Sequence, residues 1–167
     1  ELVRFEDLID RDAPMEEVLP SIYNSHIDTY KGYSIRQLCQ EMHDFYKSRN
    51  VSLLQQRLFS HEYFPDYVMN PQEANFEFQR NKGELVPLRE AEGRIALEGA
   101  LPYPPGVLCV QPGERWSKTA CDYFLALEEG INLLPGFAPE IQGVYITEQA
   151  NGYKQAYGYV LKKEYEM

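Results

Sequence analysis

Three histidines, His26, His43 and His61, and three cysteines, Cys39, Cys109 and Cys121, are the side chains of this chain best suited to metal binding or nucleophilic catalysis. His61-Glu62 opens like the helix of a zinc protease, but the second histidine due one helical turn later is missing and Pro65 holds its place. His26 with Asp28, and His43 with Asp44, have no distal ligands spaced to complete a metal set, so the histidines read as structural. A Cys109 nucleophile would sit among Val107, Leu108 and Val110, apolar neighbours that raise a thiol pKa rather than lower it. No Gly-x-Ser-x-Gly elbow, phosphate loop or Gly-x-Gly-x-x-Gly turn is present. Carboxylates remain. Glu98, Glu114 and Glu140 each flank a rigid loop, where a fixed carboxylate can receive an amine or simply keep a turn soluble. Tyr103 and Trp116 lie nearby, either lining an apolar pocket or anchoring the loop in the core.

The element that must position these groups is Leu101-Pro102-Tyr103-Pro104-Pro105-Gly106, followed by Val107-Leu108-Cys109-Val110 and Gln111-Pro112-Gly113-Glu114. Proline fixes φ, pushes the preceding residue toward extended geometry and removes a backbone donor, so 101–105 cannot be helix and forms a rigid, extended rail. Val107 to Val110 reads as a short buried strand stopped by Pro112-Gly113. The rail is either a tight corner beside the core or a wall presented to something else.

A chain of 167 residues is one domain by length, large enough to bury a core without disulfides or metal. Twenty-six acidic against sixteen basic residues give a formal charge of −10, which disfavours a nucleic-acid partner and favours cationic ligands. The three cysteines lie far apart in apolar patterns and read as reduced core residues of a cytoplasmic protein. No apolar run reaches the ~20 residues that span a bilayer, so no membrane partner is expected. The opening Glu1-Leu2-Val3-Arg4 reads like the middle of a helix, which leads us to expect a piece of something longer.

Along the chain, Leu2, Val3, Phe5, Leu8 and Ile9 form a rough helical stripe ended by Arg11 to Pro14. A second helical piece follows near Met15 to Leu19, and Ser21 to Tyr33 reads as partly irregular. Ser34 to Ser48 is the clearest helix, with Ser34 and Gln37 as a capping box and Ile35, Leu38, Cys39, Met42, Phe45 and Tyr46 on one face. Asn50 can cap a second helix through Leu58 and Phe59, completing a helical hairpin. Asn70-Pro71-Gln72-Glu73 starts a third helix, expected to end at Gly83. Glu84 to Leu88 suits an edge strand because of Pro87, and Gly93 to Ala100 reads as a further strand. Ser117 caps a helix whose apolar positions run to Leu133, with Asp122, Glu128 and Glu129 outside. Leu134 to Glu140 is a second rigid loop, and 144–147 with 157–161 pair as a hairpin, before a soluble tail. Together these predict an α+β fold, a single domain with several helices packed on small β-sheets.

Read together, Gly93-Arg94-Ile95-Ala96, Leu101-Pro102-Tyr103-Pro104-Pro105-Gly106-Val107 and Pro112-Gly113-Glu114 resemble the C-terminal domain of bacterial ornithine/lysine/arginine decarboxylases. Tyr33-Ser34-Ile35-Arg36-Gln37-Leu38-Cys39, Glu41-Met42-His43 and Pro135-Gly136-Phe137-Ala138-Pro139-Glu140-Ile141-Gln142-Gly143-Val144-Tyr145 look most like the ornithine members. The resemblance covers nearly the whole chain, 1–167. It implies a pyridoxal-phosphate enzyme that converts L-ornithine to putrescine and carbon dioxide and assembles as a homo-oligomer, with the cofactor acting as electron sink. In this family the Schiff-base lysine follows a histidine, and no His-Lys pair exists here. The resemblance therefore implies a domain that is inactive alone and binds no cofactor by itself. Its expected role is to pack on the cofactor-binding core and help wall the passage taken by a small cationic amino acid. Tyr103, Pro104, Pro105 and Gly106 are the expected wall, and Glu98 and Glu114 the expected attractors of the cation. A lysine or arginine decarboxylase, an independent ligand-binding or regulatory module of the same fold, and a complete small enzyme using a histidine stand as alternatives.

Overall fold

Ser117 ends an extended segment and its hydroxyl accepts from the Ala120 backbone N–H at 3.1 Å, starting the helix on which the molecule is built. A computed structural model describes residues 2–103 and 106–166; Pro104 and Pro105 lie outside the described residues. In chain order the elements are α1 (Leu2–Asp10), α2 (Met15–Val18), α3 (Pro20–Ser25), α4 (Ile27–Tyr30), α5 (Ile35–Ser48), α6 (Val51–Leu58), α7 (Pro71–Gln79), β1 (Gly83–Pro87), β2 (Leu101–Tyr103), α8 (Lys118–Leu133), β3 (Glu140–Gln142), β4 (Val144–Glu148) and β5 (Lys154–Leu161). The α+β expectation holds. α8 packs against β5 and against α6. Ala120, Cys121, Phe124, Leu127 and Ile131 are buried, and each fully buried large apolar side chain contributes roughly 1.5–3 kcal/mol.

The main sheet runs β1-β5-β4, all antiparallel, with β1 at an edge as its proline requires. β4 and β5 form the expected hairpin around Asn151-Gly152. β2 and β3 make a separate two-stranded sheet. Trp116, Leu88, Ala96, Val110, Phe124 and Val160 share the main core. A second cluster joins the N-terminal helices to the end of α8 through Met15, Tyr30, Leu38 and Leu134, with the Tyr30 hydroxyl donating to the Pro135 carbonyl at 2.8 Å.

Local capping chemistry explains several element boundaries. Asn70 and Glu73 form a complete capping box at the start of α7, with distances of 2.9 and 3.0 Å. Ser34 caps α5 by accepting from Gln37 N, but the Gln37 side chain turns to Glu41 instead of closing the box. Asn50 precedes α6 without a side-chain cap; it supplies the left-handed residue, φ 52°, that redirects the chain after α5. At the end of α7 the same role falls to Asn81, φ 58°, so Gly83 begins β1 rather than ending the helix.

Four further expectations are corrected. Ser21 to Tyr33 is mostly helical, as α3 and α4, with Pro20 in the first turn of α3, where its missing N–H costs nothing. Residues 93–100 form no named strand but make single bridges, Ile95 to Arg115, Ala96 to Val160 and Ala100 to Val110, that tie three segments together. Val107 to Val110 is not a buried strand: Val107 and Leu108 are 47% and 43% exposed, and the extended pairing falls on Leu101–Tyr103. Cys39 is exposed on α5, while Cys109 and Cys121 are buried.

Candidate functional site

The rail is fixed from both sides. β2 pairs with β3 in the register Leu101 to Gln142, Pro102 to Ile141 and Tyr103 to Glu140. This sheet has only two strands, so Pro102 need not supply a donor to an inner ladder. The Gly106 N–H donates to the Pro102 carbonyl at 3.0 Å. Ala100 and Val110 exchange backbone bonds at 2.9 and 3.4 Å, and the Gly113 N–H donates to the Ala96 carbonyl at 2.7 Å. Gly143, φ 73°, packs its α-carbon so close to the Gly99 carbonyl that a Cβ there would overlap it.

The expected site residues have different fates. Tyr103 stands 55% exposed on the rail, and Gly106 is exposed beside its ring. Glu98 accepts from the Tyr145 hydroxyl at 2.6 Å, and this carboxylate pushes the Tyr145 pKa up to about 12. Glu140 sits opposite Tyr103, at the other end of the β2–β3 ladder from Glu98, and accepts from Gln142 at 3.3 Å. Glu114 turns back to accept from the Gln111 N–H at 2.7 Å and so braces its own turn. Trp116 is core, 1% exposed, with its ring edge-on to Phe124. Burial pushes the Cys109 thiol up to about 11 and the Cys121 thiol up to about 12. Among the described residues, no three His, Cys, Asp or Glu side chains come together in a way that could hold a metal ion.

Two features escaped the sequence reading. Glu128, expected on the outer face of α8, is 3% exposed and accepts from the Ala156 N–H at 2.6 Å and the Tyr153 hydroxyl at 2.8 Å, with Arg89 at 3.5 Å. Its hydrogen-bond donors come from β5 and its approach and Arg89 from just after β1, all too far along the chain for any local pattern to show them. The second is a groove along α6. One half, about 720 Å³, lies between His43, Lys47, Leu53, Gln55, Pro102 and Tyr123; the other, about 360 Å³, continues past Phe59, Val107 and Cys109.

A Schiff-base cofactor such as pyridoxal phosphate needs a sheltered lysine with an acidic partner for the ring nitrogen. None of the described lysines is buried; Lys118 pairs with Asp122, Lys82 with Glu77, and Lys47 lines a groove with no carboxylate among the described residues. These residues do not fit that group, and no step of its chemistry can be routed through them.

An α+β domain of this shape occurs in lysine decarboxylases of known structure. The fold superposes on the constitutive lysine decarboxylase of Escherichia coli with a TM-score of 0.83, and on lysine decarboxylase A from Pseudomonas aeruginosa with 0.87. Each match covers 96% of this chain and 22% of the other, at 29% identity. The family model for the Orn/Lys/Arg decarboxylase C-terminal domain matches residues 52–162, and the chain belongs to that family. Over 161 residues it is 62% identical to the ornithine decarboxylase of Haemophilus influenzae and 63% identical to the inducible ornithine decarboxylase of Escherichia coli. It spans 22% of the length of each of those relatives. Among the described residues no helix is long and apolar enough to cross a membrane.

Proposed function

We propose that residues 1–167 are the C-terminal domain of a pyridoxal-phosphate-dependent ornithine decarboxylase, a cytoplasmic homo-oligomer that converts L-ornithine to putrescine and carbon dioxide. The observation that carries this reading is the gap in identity: 62–63% to the two ornithine decarboxylases above, against 30% and 35% to lysine decarboxylases of Pseudomonas aeruginosa and Hafnia alvei. In this reading the chain supplies no reacting group. It packs on the cofactor-binding core and contributes a wall to the substrate passage. Tyr103 to Gly106 form that wall, because a proline-fixed loop keeps its shape at little cost in conformational entropy. Glu98 favours the approach of a cationic amino acid. Glu114 contributes only its charge, since its carboxylate is already engaged in a turn.

The test is a domain exchange. This chain replaces the matching part of the Haemophilus influenzae ornithine decarboxylase and, separately, of the Escherichia coli constitutive lysine decarboxylase. Putrescine production from the first chimera, with little diamine from the second, is the expected result. A first chimera that assembles like its parent yet makes no putrescine overturns the reading. Purified alone, the chain should yield no putrescine from ornithine with added cofactor.

A further inference from the structure

The groove along α6 belongs to none of the roles above. Its floor is apolar, with Tyr123 and Leu127 from α8 and Pro102 from the rail. Its walls leave large apolar side chains in water: Leu53 is 43% exposed, Phe59 51% and Val107 47%. Such side chains along one cavity mark a surface that is covered in the working molecule. The charge is as selective as the shape. His43 and Lys47 lie on the rim, and no carboxylate among the described residues lines either half, although acidic residues outnumber basic ones 26 to 16 over the chain. An apolar trough with a lysine on its rim, set in an acidic domain, complements an apolar segment that carries a carboxylate.

The relatives are long enough to supply that segment. This chain matches 22% of each ornithine decarboxylase, so most of their length lies outside the region described here. Pro102 belongs both to the groove and to the rail, which places the occupant directly beside the proposed wall. We infer that the groove seats an apolar, carboxylate-bearing segment from the remaining chain of the parent decarboxylase, with the carboxylate facing Lys47 and His43. This deepens, and rests on, the reading of the chain as part of an ornithine decarboxylase.

Hydroxyl-radical footprinting of the isolated chain and of the Haemophilus influenzae chimera tests it. Leu53, Phe59 and Val107 should be oxidised readily in the isolated chain and several-fold more slowly in the chimera. Leu53→Glu and Lys47→Glu, both at exposed positions, should restore oxidation of Phe59 and Val107 in the chimera while the isolated variants keep the wild-type melting temperature. An active chimera whose groove side chains are oxidised as fast as in the isolated chain overturns the inference and leaves the enzyme reading intact. An assembled chimera without putrescine production sinks the enzyme reading whatever the footprint. Groove protection in the isolated chain that grows with protein concentration would assign the groove to a second copy and overturn the inference.

Discussion

The three-stranded sheet and the rail corner hold their shape by different means. In the sheet, β5 has a partner along both edges, and its register is repeated residue by residue from Gly83–Leu161 to Glu148–Lys154. In the corner, residues 93–116 are held by single bridges, one three-residue ladder and a glycine pressed on a carbonyl. A ladder distributes its stability over many equivalent bonds, so one defect is shared. A corner of single contacts depends on the identity of each residue; here Ile95, Ala96, Val110 and Trp116 are buried and hold Tyr103 and Val107 at the surface.

The largest expected effect breaks the corner. Gly143→Ala places a Cβ on the Gly99 carbonyl at φ 73°, and should cost about 3 kcal/mol or more, read as a fall in melting temperature. Glu128→Ala strikes the sheet from α8 by leaving the Ala156 N–H and the Tyr153 hydroxyl without their acceptor, for a loss of about 2 kcal/mol by urea unfolding. Alkaline pH should weaken both regions together. Cys109 and Cys121 keep their protons in the fold above the ordinary thiol value of 9.0, whereas the unfolded chain releases them. Their contribution is therefore complete below pH 9 and is lost as pH rises toward about 11 to 12. The melting temperature should fall over that range, and less steeply in Cys121→Ala. Gly152→Ala is the counterpart of Gly143→Ala in the β4–β5 loop. With φ 81° but open space around it, it should cost only about 1–2 kcal/mol, and an equal loss at both glycines would erase the contrast. Smallest is Tyr145→Phe, which removes one exposed hydrogen bond to Glu98 and should cost about 0.5 kcal/mol.

The same contrast decides what could be read from the sequence. Ser117, Asn70-Pro71-Glu73 and the β4–β5 hairpin were legible because their chemistry closes within a few residues. The extended course of Leu101–Tyr103 was legible because proline acts locally. Val107 to Val110 misled: an apolar run resembles a buried strand, yet its first two residues stand at the surface beside the groove. Cys39 misled in the same way, lying beside buried Leu38 on α5 but turned to solvent. Glu128 was unreadable, since a carboxylate on a helix becomes a core residue only when β5 arrives 28 residues later. Of the expected rail, Leu101–Tyr103 is extended chain, whereas nothing near Glu114 announced that its carboxylate would fold back on Gln111.

Trp116 gives the molecule an optical property of its own. It is the single tryptophan of the chain, 1% exposed, edge-on to Phe124 and against Gly158, and its indole N–H has no hydrogen-bond partner among the described residues. An indole sealed in such surroundings emits at short wavelength, and loss of the core would bring water to it and move its emission to the red. The fold therefore carries an intrinsic fluorophore where the sheet, α8 and residues 93–94 meet, and the stability changes forecast for both regions can be followed by its colour without any label.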